Sequence, residues 1–171
     1  MADLTSQDRL QPALLDRLMD DEPQSRVESR DRRVISMRKL RECVLRDLSW
    51  LLNTGNLAQV EELDDFPHAV NSVLNYGVRD LAGLTVSSAD PRDLEKRIRQ
   101  AILDFEPRIL RRTLKVRAVT PEDALHHNAI AFEIEGELWG QPMPVRLYLK
   151  SEVDLEDGTI QVIDRTEAGP A

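Results

Sequence analysis

One cysteine, Cys43, stands in the whole 171-residue sequence. An internal disulfide is therefore impossible, a cysteine-based metal site has too few ligands, and a reducing compartment suits the chain. Aromatic residues make up 4%. The core must then be mostly aliphatic, with little stacking surface for single-stranded nucleic acid. No apolar run approaches about 18 residues, and the start of the chain, Met1 through Arg9, has no apolar signal core. The chain is expected to stay in the cytoplasm. A net charge of −8 and a pI near 5.0 disfavour general binding to nucleic acid or anionic membrane. A Gly-rich phosphate loop, a Gly-x-Ser-x-Gly elbow and a dinucleotide fingerprint are all missing.

What remains is a soluble globular composition, 41% hydrophobic and 32% charged, at a length that suits one domain. Near the N-terminus, Leu14, Leu15, Leu18 and Met19 form a short amphipathic patch. A polar stretch over 20–33 follows and has too little apolar area to offset its ordering entropy, so it reads as a linker. The patch either docks on a partner or folds back on its own domain. Residues 1–33 are thus a short helix and linker, 34–164 one α+β domain, and 165–171 a loose tail.

Met37, Leu40, Val44, Leu48 and Leu51 recur at helical spacing and predict a helix over about 34–53. Ser36 can cap its start, and Asn53-Thr-Gly55 closes it, with the glycine free to turn left-handed. A second helix over about 67–76 carries Val70, Val73 and Leu74 and ends at Gly77. The third is the best marked: Asp90 caps it, Pro91 fits its first position, and Leu94, Ile98, Ala101, Ile102 and Phe105 form its buried face. Beyond it the period drops to two. Leu114, Val116 and Ala118, then Ile130, Phe132 and Ile134, then Val145, Leu147 and Leu149, then Ile160 and Val162, alternate with polar neighbours. These predict an antiparallel sheet of about four strands with helices on one face, an α+β fold. Lys115, Arg117, Arg146 and Lys150 can face Glu133, Glu135 and Glu137 across strands, a solvated sheet face rather than a binding stripe.

The junction between the halves reads Glu106-Pro107-Arg108. Pro107 stops the helix, and Glu106 puts negative charge at a helix C-terminus, where the macrodipole already opposes it. Such a residue answers to a partner, and in extended backbone Arg108 points to the same side as Glu106. The partner is either internal or another protein. Arg108, Arg111, Arg112, Lys115 and Arg117 crowd positive charge after the corner, either for ion pairing or as a patch for an acidic protein.

No catalytic constellation emerges. His126 and His127 are adjacent and cannot share a helix face, His68 reads as a surface residue, and Cys43 as an inert helix thiol. No cofactor or metal site is expected. Asp104 and Glu106 are a conceivable carboxylate pair, but acids are abundant here by composition alone, so an enzyme is not expected.

Leu14-Leu-Asp-Arg-Leu18, Leu45-Arg-Asp-Leu-Ser-Trp-Leu-Leu-Asn53, Ser72-Val-Leu-Asn-Tyr-Gly77 with Asp80-Leu81, and Phe105-Glu-Pro-Arg108, taken in order, resemble the TssE family. Those proteins are baseplate subunits of the type VI secretion system and are similar to the small wedge protein of contractile phage tails. The resemblance spans about residues 10–163. It implies a cytoplasmic structural protein that works with TssF, TssG and TssK and links the baseplate wedge to the contractile sheath, helping sheath assembly begin. Glu106, Pro107 and Arg108 would be contacts within the baseplate, with Leu14, Leu15 and Leu18 as a second docking surface and a free sheet edge as a third. A muramidase-like peptidoglycan hydrolase and a regulatory adaptor on the same fold are the alternatives.

Overall fold

A computed structural model describes residues 13–18, 36–78, 90–119, 129–139, 144–154 and 158–165. The 20–33 linker, His126 and His127, and the tail beyond Arg165 lie outside these residues. Helix α1 spans Leu14–Leu18, α2 Met37–Leu52, α3 Pro67–Val70 and α4 Pro91–Phe105; strands β1 Lys115–Val119, β2 Ala129–Leu138, β3 Val145–Asp154 and β4 Ile160–Asp164 follow. Helices precede strands, and the four strands pair antiparallel in the order β1-β2-β3-β4. This is the α+β architecture read from the change of period.

The boundaries follow local chemistry. The Ser36 hydroxyl accepts the Lys39 N–H at 3.1 Å and starts α2. Asp90 accepts the Arg92 N–H at 3.0 Å and, with Pro91, starts α4. The inner-face residues Leu40, Val44, Leu48, Leu51 and Leu52 of α2 and Leu94, Ile98 and Ile102 of α4 meet Val116, Ile130, Phe132, Ile134, Leu147, Leu149, Val153 and Ile160 in one aliphatic core. Helix α4 packs on β1 and α2 on β4, so the two long helices cover opposite flanks of one sheet face.

Two expected details differ. The single helix over 67–76 is broken: α3 stops at Val70, and a 3-10 turn, Val73–Asn75, replaces the rest. The Ser72 hydroxyl donates to the Ala69 carbonyl and accepts the Leu74 N–H, local bonds that compete with a continuing helix. As a result Val70, Val73 and Leu74 face solvent rather than the core. Gly55, expected to turn left-handed after α2, does not; among the described residues only Gly77, at φ 117°, and Gly158, at φ 75°, have positive φ. Helix α2 ends instead with side chains: Asn53 Nδ2 donates to the Ser49 carbonyl and Thr54 Oγ1 to the Trp50 carbonyl. Gly77 is the position that needs glycine, since a Cβ there would sit 2.2 Å from the Thr54 carbonyl oxygen.

Both sheet edges carry a side-chain cap. In β4, the Asn53 amide donates to the Ile160 carbonyl and accepts the Ile160 N–H, both at 2.8 Å, as a neighbouring strand would. In β1, Glu95 of α4 accepts the outward Ala118 N–H at 2.7 Å. Such caps blunt edges that would otherwise pair with other chains. On the outer sheet face the anticipated charge register is present: Lys115 lies opposite Glu135, Arg117 opposite Glu133, Lys150 opposite Glu133 and Arg146 opposite Glu137.

Candidate functional site

Helix α4 ends with the Glu106 N–H on the Ile102 carbonyl, and Glu106 leaves helical geometry at φ −120° and ψ 78° ahead of Pro107. A turn at Pro107 and Arg108, closed by the Ile109 N–H on the Glu106 carbonyl at 3.2 Å, then brings Arg108 back over Glu106. Glu106 Oε1 accepts the Arg108 backbone N–H at 3.1 Å and Nε at 2.7 Å, while Arg108 Nη2 reaches Oε2. The charge placed against the helix dipole is thus neutralised by its own i+2 neighbour in a two-pronged fork. Glu106 is only 3% exposed. Beyond the corner the chain runs beside the end of β2: the Arg108 carbonyl accepts the Trp139 N–H at 2.7 Å and the Leu110 N–H donates to the Glu137 carbonyl at 2.8 Å.

The same guanidinium has a distant partner. Arg108 Nη2 donates to Asp47 Oδ2 on α2 at 2.6 Å. Asp47 Oδ1 in turn accepts Arg46 Nε and Nη2 at 2.9 and 2.7 Å, and Arg46 Nη1 pairs with Asp16 of α1 at 2.7 Å. Arg46 also lies over the Trp50 ring, 5.0 Å from its centroid. Three acids and two arginines therefore alternate as Asp16, Arg46, Asp47, Arg108 and Glu106, joining α1, α2 and the corner after α4.

Electrostatics follow this alternation. Burial alone would lower the Arg108 pKa, but Glu106 and then Asp47 more than offset it and hold the guanidinium well above its ordinary value. Burial works against the Asp16 carboxylate, yet Arg46 and the Cys43 thiol prevail and keep its pKa low. Burial, then the adjacent Asp16, pushes the Cys43 thiol up. Tyr76 stacks edge-on against Phe105 at 5.2 Å, and burial followed by the charges of Asp47 and Glu106 raises its pKa.

Each of the four segments singled out in the sequence supplies a member: Asp16 from the first, Arg46, Asp47 and Trp50 from the second, Tyr76 from the third, and Phe105, Glu106 and Arg108 from the fourth. Asp16, Arg46 and Asp47 were not among the expected site residues. The available signal was the adjacent pair Arg46-Asp47 on a helix between buried Val44 and Leu48. Leu14, Leu15 and Leu18 lie on α1 with their side chains exposed, and Pro107 is exposed at the tip of the corner. The five cations after the corner do not act together. Arg108 turns inward, Arg111 Nη1 donates to the Leu103 carbonyl at 2.8 Å, and Lys115 joins Glu135 at 3.9 Å on the sheet face. The conceivable carboxylate pair is likewise divided, since Asp104 accepts Gln100 on the flank of α4 while Glu106 faces Arg108. Among the described residues, no group of three or more His, Cys, Asp and Glu could hold a metal ion, and no helix is long and apolar enough to cross a membrane.

Residues 38–143 match the family model of the baseplate wedge protein gp25, a span running from α2 through β2. No curated protein and no solved structure matches the chain.

Proposed function

The chain belongs to the baseplate wedge protein gp25 family, and from that premise we propose that it serves in the baseplate of a type VI secretion system. In this reading it connects the wedge to the contractile sheath and helps start sheath assembly. Its partners are TssF, TssG and TssK on the wedge side and sheath subunits on the other. It acts in the cytoplasm, in a baseplate docked at the inner face of the inner membrane.

The observation that carries the reading is the convergence of three TssE-like segments on one ion network, with Tyr76 of the remaining segment stacked against Phe105 beside it, although up to 90 residues separate the network's members (Asp16 to Glu106). Segments that resemble one family in order and also meet in space form a unit, and here they hold a corner whose tip is exposed. We assign docking to two surfaces: the Glu106-Pro107-Arg108 corner, in which Arg108 and Glu106 set the shape and Pro107 is presented, and the exposed Leu14, Leu15 and Leu18 of α1. A third contact is strand addition at a sheet edge, a recognition mode in which backbone bonds supply the affinity. In β4, Arg165 and Thr159 bond to β3 and Asn53 occupies Ile160, which leaves the backbone of Val162 directed outward for a new strand.

Co-purification tests this directly. The tagged full-length chain should retain TssF and TssG from co-expressing cells, and Leu14→Ser/Leu18→Ser should weaken retention while the thermal transition stays unchanged. Undiminished retention by that variant would remove α1 from the interface, and no retention of any wedge subunit by the wild-type chain would end the proposal.

A further inference from the structure

Residues 54–78 form a closed loop whose ends meet. The Val78 N–H donates to the Thr54 carbonyl at 2.9 Å and the Asn56 N–H to the Val78 carbonyl at 3.2 Å. Inside the loop one buried side chain ties the parts together. Asn75 Oδ1 accepts the Ala58 N–H at 3.0 Å, and its Nδ2 donates to the Val70 carbonyl at 2.8 Å. A buried amide with both ends satisfied fixes the 3-10 turn at Leu57–Gln59 against α3 and the turn at Val73–Asn75.

This framework holds large apolar side chains in solvent. Val73 is 82% and Leu74 70% exposed, and Val60, Phe66 and Val70 are exposed beside them on the same loop. Single exposed aliphatics are ordinary, but five on one internally bonded loop are the signature of a contact surface. The charged residues of this loop are of one sign. Glu61, Glu62, Asp64 and Asp65 are exposed within the loop, and residues 47–78 contain no lysine or arginine.

We infer that the 54–78 loop is a docking surface for a basic amphipathic helix of another baseplate subunit, whose apolar stripe covers Val60, Phe66, Val70, Val73 and Leu74 while flanking lysines and arginines meet the acidic residues. Charge complementarity selects this occupant: a second copy of the chain would bring the same acidic residues against themselves, at a cost in like-charge repulsion. An apolar helix face bordered by cations is the simplest element that meets both demands. The identity of the donor as a baseplate subunit rests on the proposed function; the surface and its charge preference do not.

Two arms test it on the full-length chain. In the first, the isotope-labelled protein is titrated with a synthetic leucine–lysine amphipathic peptide and with its leucine–glutamate counterpart. Amide shifts should concentrate at residues 57–76, with the lysine peptide binding at least tenfold more tightly. Val73→Ser/Leu74→Ser should cost a further tenfold, and because both side chains already face solvent the rest of the spectrum should not change. Equal binding of the two peptides, shifts located elsewhere, or concentration-dependent self-association through these residues would overturn the inference. In the second arm, a photoreactive residue at position 73 should cross-link in cells to a lysine- and arginine-rich helical segment of another baseplate subunit. Cross-links confined to this chain would overturn the docking assignment. If the first arm succeeds while cells lacking the protein still build sheath, the baseplate reading fails and the charge-selective surface stands.

Discussion

Replacing Arg108 by alanine removes the only cation bonded to Glu106 among the described residues and one of two bonded to Asp47. Glu106, 3% exposed in the wild-type chain, then keeps only the backbone N–H at position 108 as a described donor to its carboxylate. The Arg108 side chain is itself 22% exposed, so the pair is far closer to a buried than to a surface ion pair. Breaking a buried pair by deleting one partner costs about 3–5 kcal/mol, against a total stability on the order of 5–15 kcal/mol. For a chain of this length that corresponds to a fall of roughly 6–20 °C in Tm. Urea denaturation followed by circular dichroism measures it, with an unchanged m-value showing that the same structure unfolds. The double variant Glu106→Gln/Arg108→Met should recover most of the loss, because a neutral pair leaves no stranded charge. If Arg108→Ala costs less than about 1 kcal/mol, as an exposed pair would, the corner is not an internal staple and the reasoning from Glu106 burial is wrong.

Other consequences follow from the same geometry. Asp16→Ala should release α1 from Arg46 and uncover Cys43, whose thiol also loses the carboxylate that raises its pKa. Its reaction with an aromatic disulfide at pH 8 should then accelerate several-fold, and an unchanged rate would show that α1 does not shield it. Asn53→Ala removes the two-pronged cap on Ile160, so the variant should self-associate at concentrations where the wild type is monomeric; equal sedimentation of both would contradict an edge-blocking role. The Tyr148 hydroxyl donates to Glu133 at 2.7 Å, and that bond, then burial, then the charges of Glu133 and Glu135 against the opposing Arg146, push its pKa up to about 12. A folded-state pKa raised above the unfolded value near 10 gives stability that is full below pH 10 and lost as pH rises to 12. Tyr148→Phe should flatten that alkaline decline, and an identical decline in the variant would deny the bond its role.

Helix α4 was legible in the sequence because both its ends are marked by chemistry, Asp90-Pro91 at the start and Pro107 after the finish. The strands were legible because one covered face imposes alternation, and that alternation also set the register that places Lys115 opposite Glu135. The 67–76 segment departs from the expected single helix because aliphatic spacing at Val70, Val73 and Leu74 suits a helix, whereas the Ser72 hydroxyl satisfies the backbone locally and breaks it. The sequence left Glu106 and Arg108 either paired with each other or facing another protein, and what joins them is a turn at Pro107 and Arg108, closed by the Ile109 N–H on the Glu106 carbonyl, rather than extended chain. Asp47 could not, because the bond that joins it to Arg108 closes a separation of 61 residues that no local pattern encodes. The same holds for Asp16, whose place in the network depends on where α1 lies on α2.

The proposed role is that of a baseplate protein needed for sheath assembly. Imaging a fluorescent sheath subunit in cells with and without the gene tests it most directly. Deletion should abolish extended sheaths, and the wild-type chain should restore them. Sheaths of normal number and length in the deletion strain would contradict it.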